Sequence, residues 1–175
     1  GCILCGIPCY QGACKLGILL AKAVVKVKGK DSQSRFLENL ATGSFNKVID
    51  NPETDVDWLS YNKNNVQDYI NDELCGVPFT SQGYLDLFTL MSKMGDLSLY
   101  QCKNPDLPIY VFAGEDDPCI GGTKGFADSI QRLQNAGYKH IDTKLFPHMR
   151  HEVLHEEDSL EAMQAAVTWI KKNIH

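Results

Sequence analysis

Two loops in the last third of the sequence carry side chains that could exchange protons. An acidic loop at 115–118 (Glu-Asp-Asp-Pro) follows the apolar run 108–114, and a loop at 148–152 (His-Met-Arg-His-Glu) follows the run 143–147. In open α/β sheets, working residues lie just beyond the carboxyl ends of the strands, so the two loops should meet. A carboxylate beside a histidine fixes the imidazole tautomer and stabilises the imidazolium that forms when the histidine takes a nucleophile's proton. The alternative is a solvated turn with surface histidines.

The elements that position these loops alternate along the chain. Buried strands are predicted from the apolar runs at 2–5, 108–114 and 143–147. Helices are predicted from the spacing of apolar residues at 16–27, 35–40, 84–91, 126–133 and 160–174. Strands separated by helices imply parallel βαβ units with right-handed crossovers. We therefore predict an α/β fold with about three parallel strands and flanking helices.

Composition and charge argue against several classes of function. Of 175 residues, 43% are hydrophobic and 22% charged, so we expect one globular domain over residues 1–175. The net charge is −5 without a dense basic cluster, which argues against a nucleic-acid partner. The longest apolar stretch, 16–25, contains Lys22 and has about half the length of a membrane span. Seven cysteines, an odd count, favour free thiols in a reducing cytosol and hence a cytoplasmic location.

The two loops and their strands also carry a family resemblance. The segments 107–118 (Leu-Pro-Ile-Tyr-Val-Phe-Ala-Gly-Glu-Asp-Asp-Pro) and 146–157 (Phe-Pro-His-Met-Arg-His-Glu-Val-Leu-His-Glu-Glu) resemble the bacterial lysophospholipase and monoacylglycerol-lipase group of α/β-hydrolases, also called serine-aminopeptidase-like hydrolases. In that family the catalytic order is Ser, Asp, His. The resemblance implies Asp117 as the acid, because it is the third residue after a strand-ending glycine. It implies His151, in an Arg-His-Glu run, as the base.

The resemblance further implies a helical cap over about residues 45–99, above an apolar acyl pocket. The implied activity is that of a serine hydrolase acting on a small carboxylic ester or lipid, such as a monoacylglycerol or lysophospholipid, without a cofactor. If the acidic loop is shifted by one residue, Glu115 or Asp116 would replace Asp117. We interpret Trp58 as a packing residue of the cap, with a ligand platform as the alternative. Arg150 and Glu152 flank His151 and either orient its loop or form a solvated ion pair.

The family's nucleophile motif is missing from the sequence. The candidate around Ser44 lacks the outer glycines of Gly-x-Ser-x-Gly, and the early His-Gly loop of the oxyanion hole is also absent. The run at 2–5 resembles the strand that follows the nucleophile segment. We therefore expect the sequence to cover the C-terminal part of the fold and to be inactive by itself, as a fragment or a degenerate binding module. We also expect a homo-oligomer that covers the apolar edge of the first strand.

Two metal sites compete with this interpretation. His151-Glu152-Val-Leu-His155 matches the His-Glu-x-x-His zinc motif, with Glu152 as general base and His175 as a conceivable third ligand. That motif needs a helix, and Pro147 leaves little room for one. The cysteines at 2, 5, 9 and 14 match neither zinc-ribbon nor ferredoxin spacing, and we interpret Cys2 and Cys5 as core residues of a buried strand.

Overall fold

The computed structural model describes residues 1–173 and shows a three-stranded parallel sheet with flanking helices. The strands are β1 (Cys2–Cys5), β2 (Ile109–Gly114) and β3 (Ile141–Phe146), in the order β1-β2-β3. The helices are α1 (Cys14–Lys28), α2 (Arg35–Ala41), α3 (Lys63–Asn71), α4 (Ser81–Met94), α5 (Gly122–Asn135) and α6 (Ser159–Asn173). The predicted α/β fold is confirmed. Ile174, at the predicted end of the last helix, and His175 lie outside the described residues.

Strand β2 is the centre of the sheet because both of its faces are covered. All six of its residues are buried, and it pairs with β1 on one side and β3 on the other. On one face, Tyr110 and Phe112 pack with Phe146 and with Trp169 of α6. On the other face, its alternate residues pack against Phe126 of α5. This sandwich fixes the carboxyl ends of β2 and β3, and with them the two loops that follow.

A second layer of helices lies between β1 and β2 in the chain. Helices α1, α2 and α4 share an apolar cluster formed by Ala21, Leu37, Tyr84 and Phe88. Gly17 of α1 lies directly under the Phe88 ring, where a Cβ atom would come within 3.0 Å. Residues 45–99 contain α3, α4 and several short 3-10 turns. Because α4 packs on α1 and α2, the helical layer extends across residue 45, and the cap boundaries at 45 and 99 stay a prediction.

Two local expectations were wrong. Strand β3 begins at Ile141 instead of Thr143, because Ile141 and Asp142 already pair with Ile109 and Tyr110 of β2. The Asp142 carboxylate at this polar start accepts a hydrogen bond from Trp169 Nε1 at 2.8 Å. Cys5 is exposed and does not lie in the core, whereas the half-buried Cys2 packs against the apolar cluster around β2. The reason is that β1 is an edge strand of the sheet that residues 1–173 form. Within the same residues, no helix has the length and apolar character needed to cross a membrane.

Candidate active site

The acidic loop is held tightly at the end of β2. The amide of Asp117 donates to Gly114 O at 3.3 Å, which turns the chain back on itself. Asp117 Oδ1 then accepts a hydrogen bond from the amide of Cys119 at 2.8 Å and caps the short 3-10 turn that follows. The Asp117 side chain is fully buried, with 0% of its surface exposed. A carboxylate in this setting is fixed in position and has one oxygen left for a partner.

The histidine loop passes directly over the end of β2. The amide of Asp116 donates to Met149 O at 3.0 Å, and the amide of Glu115 donates to Phe146 O at 2.8 Å. A Cβ atom on Gly114 would lie 2.1 Å from Met149 O, so only glycine permits this approach. His148 has a φ of 54°, which turns the loop sharply after β3. The strand-ending glycine of the sequence motif is therefore the residue that lets the two loops touch.

The two loops bring Asp117 and His151 into direct contact. Nδ1 of His151 lies 2.9 Å from Asp117 Oδ2, and the imidazole is 30% exposed. Gly6, just after β1, lies beside this pair, with a Cβ position 3.3 Å from the ring. Since the ionised carboxylate only accepts, Nδ1 donates, and the Nε2 lone pair is free to take a proton. Within residues 1–173, no group forms a hydrogen bond with Nε2.

The alternative acids do not reach the imidazole. Glu115 and Asp116 are both exposed, and Asp116 Oδ2 instead accepts a hydrogen bond from the Tyr61 hydroxyl at 3.0 Å. Of the three acidic residues in the loop, the structure brings only Asp117 to His151. The glycine spacing of the sequence motif selected this residue.

Sequence reasoning missed the role of the segment before α3. The Trp58 ring packs against the His151 imidazole, with 5.1 Å between ring centroids, and against Phe45 at 5.0 Å. Arg150 and Glu152 do not pair with each other, and their contacts favour the alternative that they orient the loop. Arg150 Nη1 donates to backbone carbonyls of residues 57 and 60, and Glu152 accepts from the Asn65 side chain at 2.5 Å. These partners lie more than 80 residues apart in sequence, and no local pattern indicates them.

One group in the described part of the chain has the spacing of metal ligands. Ligand atoms of Asp117, Cys119 and His151 lie within 4.8 Å of one another. Burial, and then the Asp117 charge, raises the pKa of the Cys119 thiol to about 12, so the thiol stays protonated in the absence of a metal. A metal here would also compete with the hydrogen bond between Asp117 and His151. The alternative zinc motif lacks its helix, because Val153–His155 is a 3-10 turn.

Comparison with known proteins agrees with this geometry. The family described as serine aminopeptidase, S33 matches residues 4–158. The chain belongs to this family. No significant match was found among curated protein sequences.

Solved structures with the same fold support the assignment to α/β-hydrolases. A carboxyl esterase from Bacillus coagulans, in complex with glycerol, superposes with a TM-score of 0.84 at 22% identity over 99% of the chain. A lipase in an open form gives 0.77 at 23% identity over 97%. A monoacylglycerol lipase from Paleococcus ferrophilus gives 0.58 at 18% identity over 96%. The chain spans 56% of the first two structures and 57% of the third.

A large open cavity of about 900 Å³ lies beside the Trp58 segment of this S33-family chain. Trp58, which contacts His151, is also part of the cavity wall. The apolar part of the wall comes from Val77, Pro78 and Phe79, in the segment between α3 and α4, and from Leu87 of α4. Polar groups, among them Asn46, complete it. The cavity and His151 therefore share Trp58 as a neighbour.

Proposed function

We propose that Asp117 and His151 are the acid and base of a Ser-His-Asp triad that hydrolyses carboxylic esters. The observation that carries the proposal is the 2.9 Å hydrogen bond between His151 Nδ1 and the buried Asp117 Oδ2, with Nε2 free. Membership of the serine aminopeptidase, S33 family supports hydrolase chemistry. Because the sequence holds no Gly-x-Ser-x-Gly motif, the nucleophile comes from outside these 175 residues.

In this mechanism, Nε2 of His151 takes the hydroxyl proton of the serine as its oxygen attacks the acyl carbon. The imidazolium that forms is stabilised by Asp117, which stays ionised throughout. His151 then gives the proton to the departing alcohol, and an acyl-serine ester remains. In the second half, water attacks the acyl carbon, loses a proton to Nε2 and releases the carboxylic acid, while the serine recovers its proton.

The cavity supports a small ester or lipid as the substrate, as expected for monoacylglycerols or lysophospholipids. Its volume of about 900 Å³ lies in the range of small-molecule sites, and its apolar side is formed by residues 77–79 and Leu87. An acyl chain placed there would lie near Trp58, which also packs against His151. The seven free cysteines support a reducing, cytoplasmic environment.

The acid–base pair can be tested without a nucleophile. We expect ¹H NMR of the ¹⁵N-histidine-labelled chain to show a hydrogen-bonded Nδ1 proton on His151. Asp117→Asn should abolish it, because the amide presents a donor to Nδ1 and forces the Nε2–H tautomer. Asp116→Asn is the matched control, since this exposed neighbour does not contact the imidazole. A wild-type chain without the bonded proton, or its survival in Asp117→Asn, would refute the assignment.

The inactivity of the chain alone is tested with p-nitrophenyl butyrate and a fluorophosphonate probe. We expect neither turnover above background nor labelling. His151→Gln, compared with His155→Gln at an exposed position nearby, separates triad chemistry from unspecific ester cleavage by histidines. Turnover that is lost in His151→Gln and kept in His155→Gln would show that the chain contains a nucleophile after all.

A further inference from the structure

A second carboxylate near the base, Glu156, is buried and fully engaged. Only 3% of its surface is exposed. It accepts hydrogen bonds from Ser60 Oγ at 2.7 Å, from the amide of Tyr61 at 2.9 Å and from the amide of Asn62 at 3.2 Å. Its other oxygen accepts from the amide of Arg150 at 2.7 Å. One side chain thus joins the segment before α3 to the loop that carries the base.

These bonds anchor the backbone on both sides of His151. The amide of the preceding residue, Arg150, is held by Glu156, and the amide of the following residue, Glu152, donates to Leu59 O at 2.8 Å. Both anchors connect to the same short stretch, residues 59–62. The imidazole is therefore positioned by its neighbours' backbone as well as by its own contact with Asp117.

The Arg150 side chain reinforces the same connection. Its guanidinium donates to Asp57 O at 2.7 Å and to Ser60 O at 3.2 Å, and it lies 3.8 Å above the Tyr61 ring. Trp58, which directly precedes this stretch, packs against the imidazole. Residues 57–62 and the loop that carries His151 are thus joined by several hydrogen bonds, many of which the Glu156 carboxylate accepts.

We propose that Glu156 is a positioning residue for His151, acting through the Arg150 amide and through residues 60–62; this rests on the proposed role of His151 as base. All four groups around the carboxylate are donors, and an ionised carboxylate is the side chain that accepts from all of them. A glutamine here would point its own N–H groups at donors and leave at least one amide unpaired. The loop would then lose the anchor next to the base.

The test is Glu156→Gln, read from the hydrogen-bonded Nδ1 proton of His151 in ¹⁵N-histidine-labelled protein. We expect the Nδ1 proton to exchange with solvent about tenfold faster or more, because charge-assisted hydrogen bonds that fix the loop are lost. The matched control is Glu157→Gln, which removes the same charge from the exposed adjacent residue and should leave the exchange unchanged. Far-UV circular dichroism establishes that each variant is folded.

The outcomes separate this inference from the proposed function. If the wild-type chain shows no bonded Nδ1 proton, the acid–base pair itself is refuted. If wild type and Glu156→Gln show the proton with equal exchange, the pair stands and the positioning role is overturned. If Glu156→Gln does not fold, Ser60→Ala takes its place in the test, because it removes one of the four donors and leaves the Glu156 carboxylate unchanged. Wild-type exchange in Ser60→Ala would then overturn the positioning role.

Discussion

Replacing Gly114 by alanine tests how closely the acid and base loops must approach. The added Cβ atom would lie 2.1 Å from Met149 O and 2.3 Å from Arg150 O, whereas ordinary contacts begin at 3.4 Å. Both clashing atoms belong to the backbone, so no side-chain rotation relieves the overlap. The histidine loop must therefore move away from the end of β2, and His151 moves with it.

The size of the effect follows from the bonds that this movement breaks. The hydrogen bond from the Asp116 amide to Met149 O contributes about 0.5–1.5 kcal/mol, and the charge-assisted bond between Asp117 and His151 about 1.5–3 kcal/mol. We expect Gly114→Ala to lower the free energy of unfolding by about 2–4 kcal/mol, within the range of large effects caused by steric overlap.

Urea denaturation of the two matched alanine variants measures this loss. Gly12→Ala is the control, because a Cβ atom at Gly12 meets nothing within 4 Å. It should change the free energy of unfolding by no more than about 0.5 kcal/mol. We also expect Gly114→Ala to lose the bonded Nδ1 proton of His151. A loss below about 1 kcal/mol, with that proton retained, would refute the claim that the loops require glycine at this position.

Three further predictions concern the surroundings of the site. The pKa of the Cys119 thiol is raised to about 12 by burial and then by the Asp117 charge. Iodoacetamide should therefore modify this thiol slowly at pH 8 and faster as the pH rises, and Asp117→Asn should speed the reaction; equal rates at pH 8 and 11 would contradict this. Arg150→Ala should lower the free energy of unfolding, measured in urea, by about 2–3 kcal/mol, since it removes charge-assisted hydrogen bonds to backbone carbonyls. Arg132→Ala is the comparison: it loses an ion pair with Asp128 one helical turn away and should lower that free energy by less than about 1 kcal/mol. The apolar edge of β1 should pair with a second copy, so light scattering should show a dimer as concentration rises, and a monomer throughout would contradict it.

The parts of the fold that were predictable share a strong local signal. The six apolar residues of β2 and the helical spacing in α1 and α5 indicate their structure without help from distant residues. The start of β3 was missed because Asp142 interrupts the apolar run, and its partner Trp169 lies 27 residues later. The exposure of Cys5 was missed for a similar reason, since sequence does not show which strand forms the edge of a sheet.

The residues of the candidate site likewise differ in how strongly the local sequence indicates them. The two loops were predicted to meet because the ends of adjacent parallel strands meet, and the family resemblance implied Asp117 and His151 within them. Trp58 and Glu156 carry no such signal. Glu156 looks like one of several acidic residues at the start of a helix, and its partners at residues 60–62 are 94 to 96 residues earlier. A pattern confined to a dozen residues cannot identify a partner at that distance.

The hydrogen bonds between the loop that carries His151 and residues 57–62 restrict how far these two segments can move apart. Moving this stretch away would leave the Glu156 carboxylate buried without its donors, and an unpaired buried charge is strongly destabilising. The stretch also begins α3, whose first residue is preceded by Asn62 as a cap and whose Asn65 bonds Glu152. We therefore expect residues 57–62, the start of α3 and the loop that carries His151 to move as one unit.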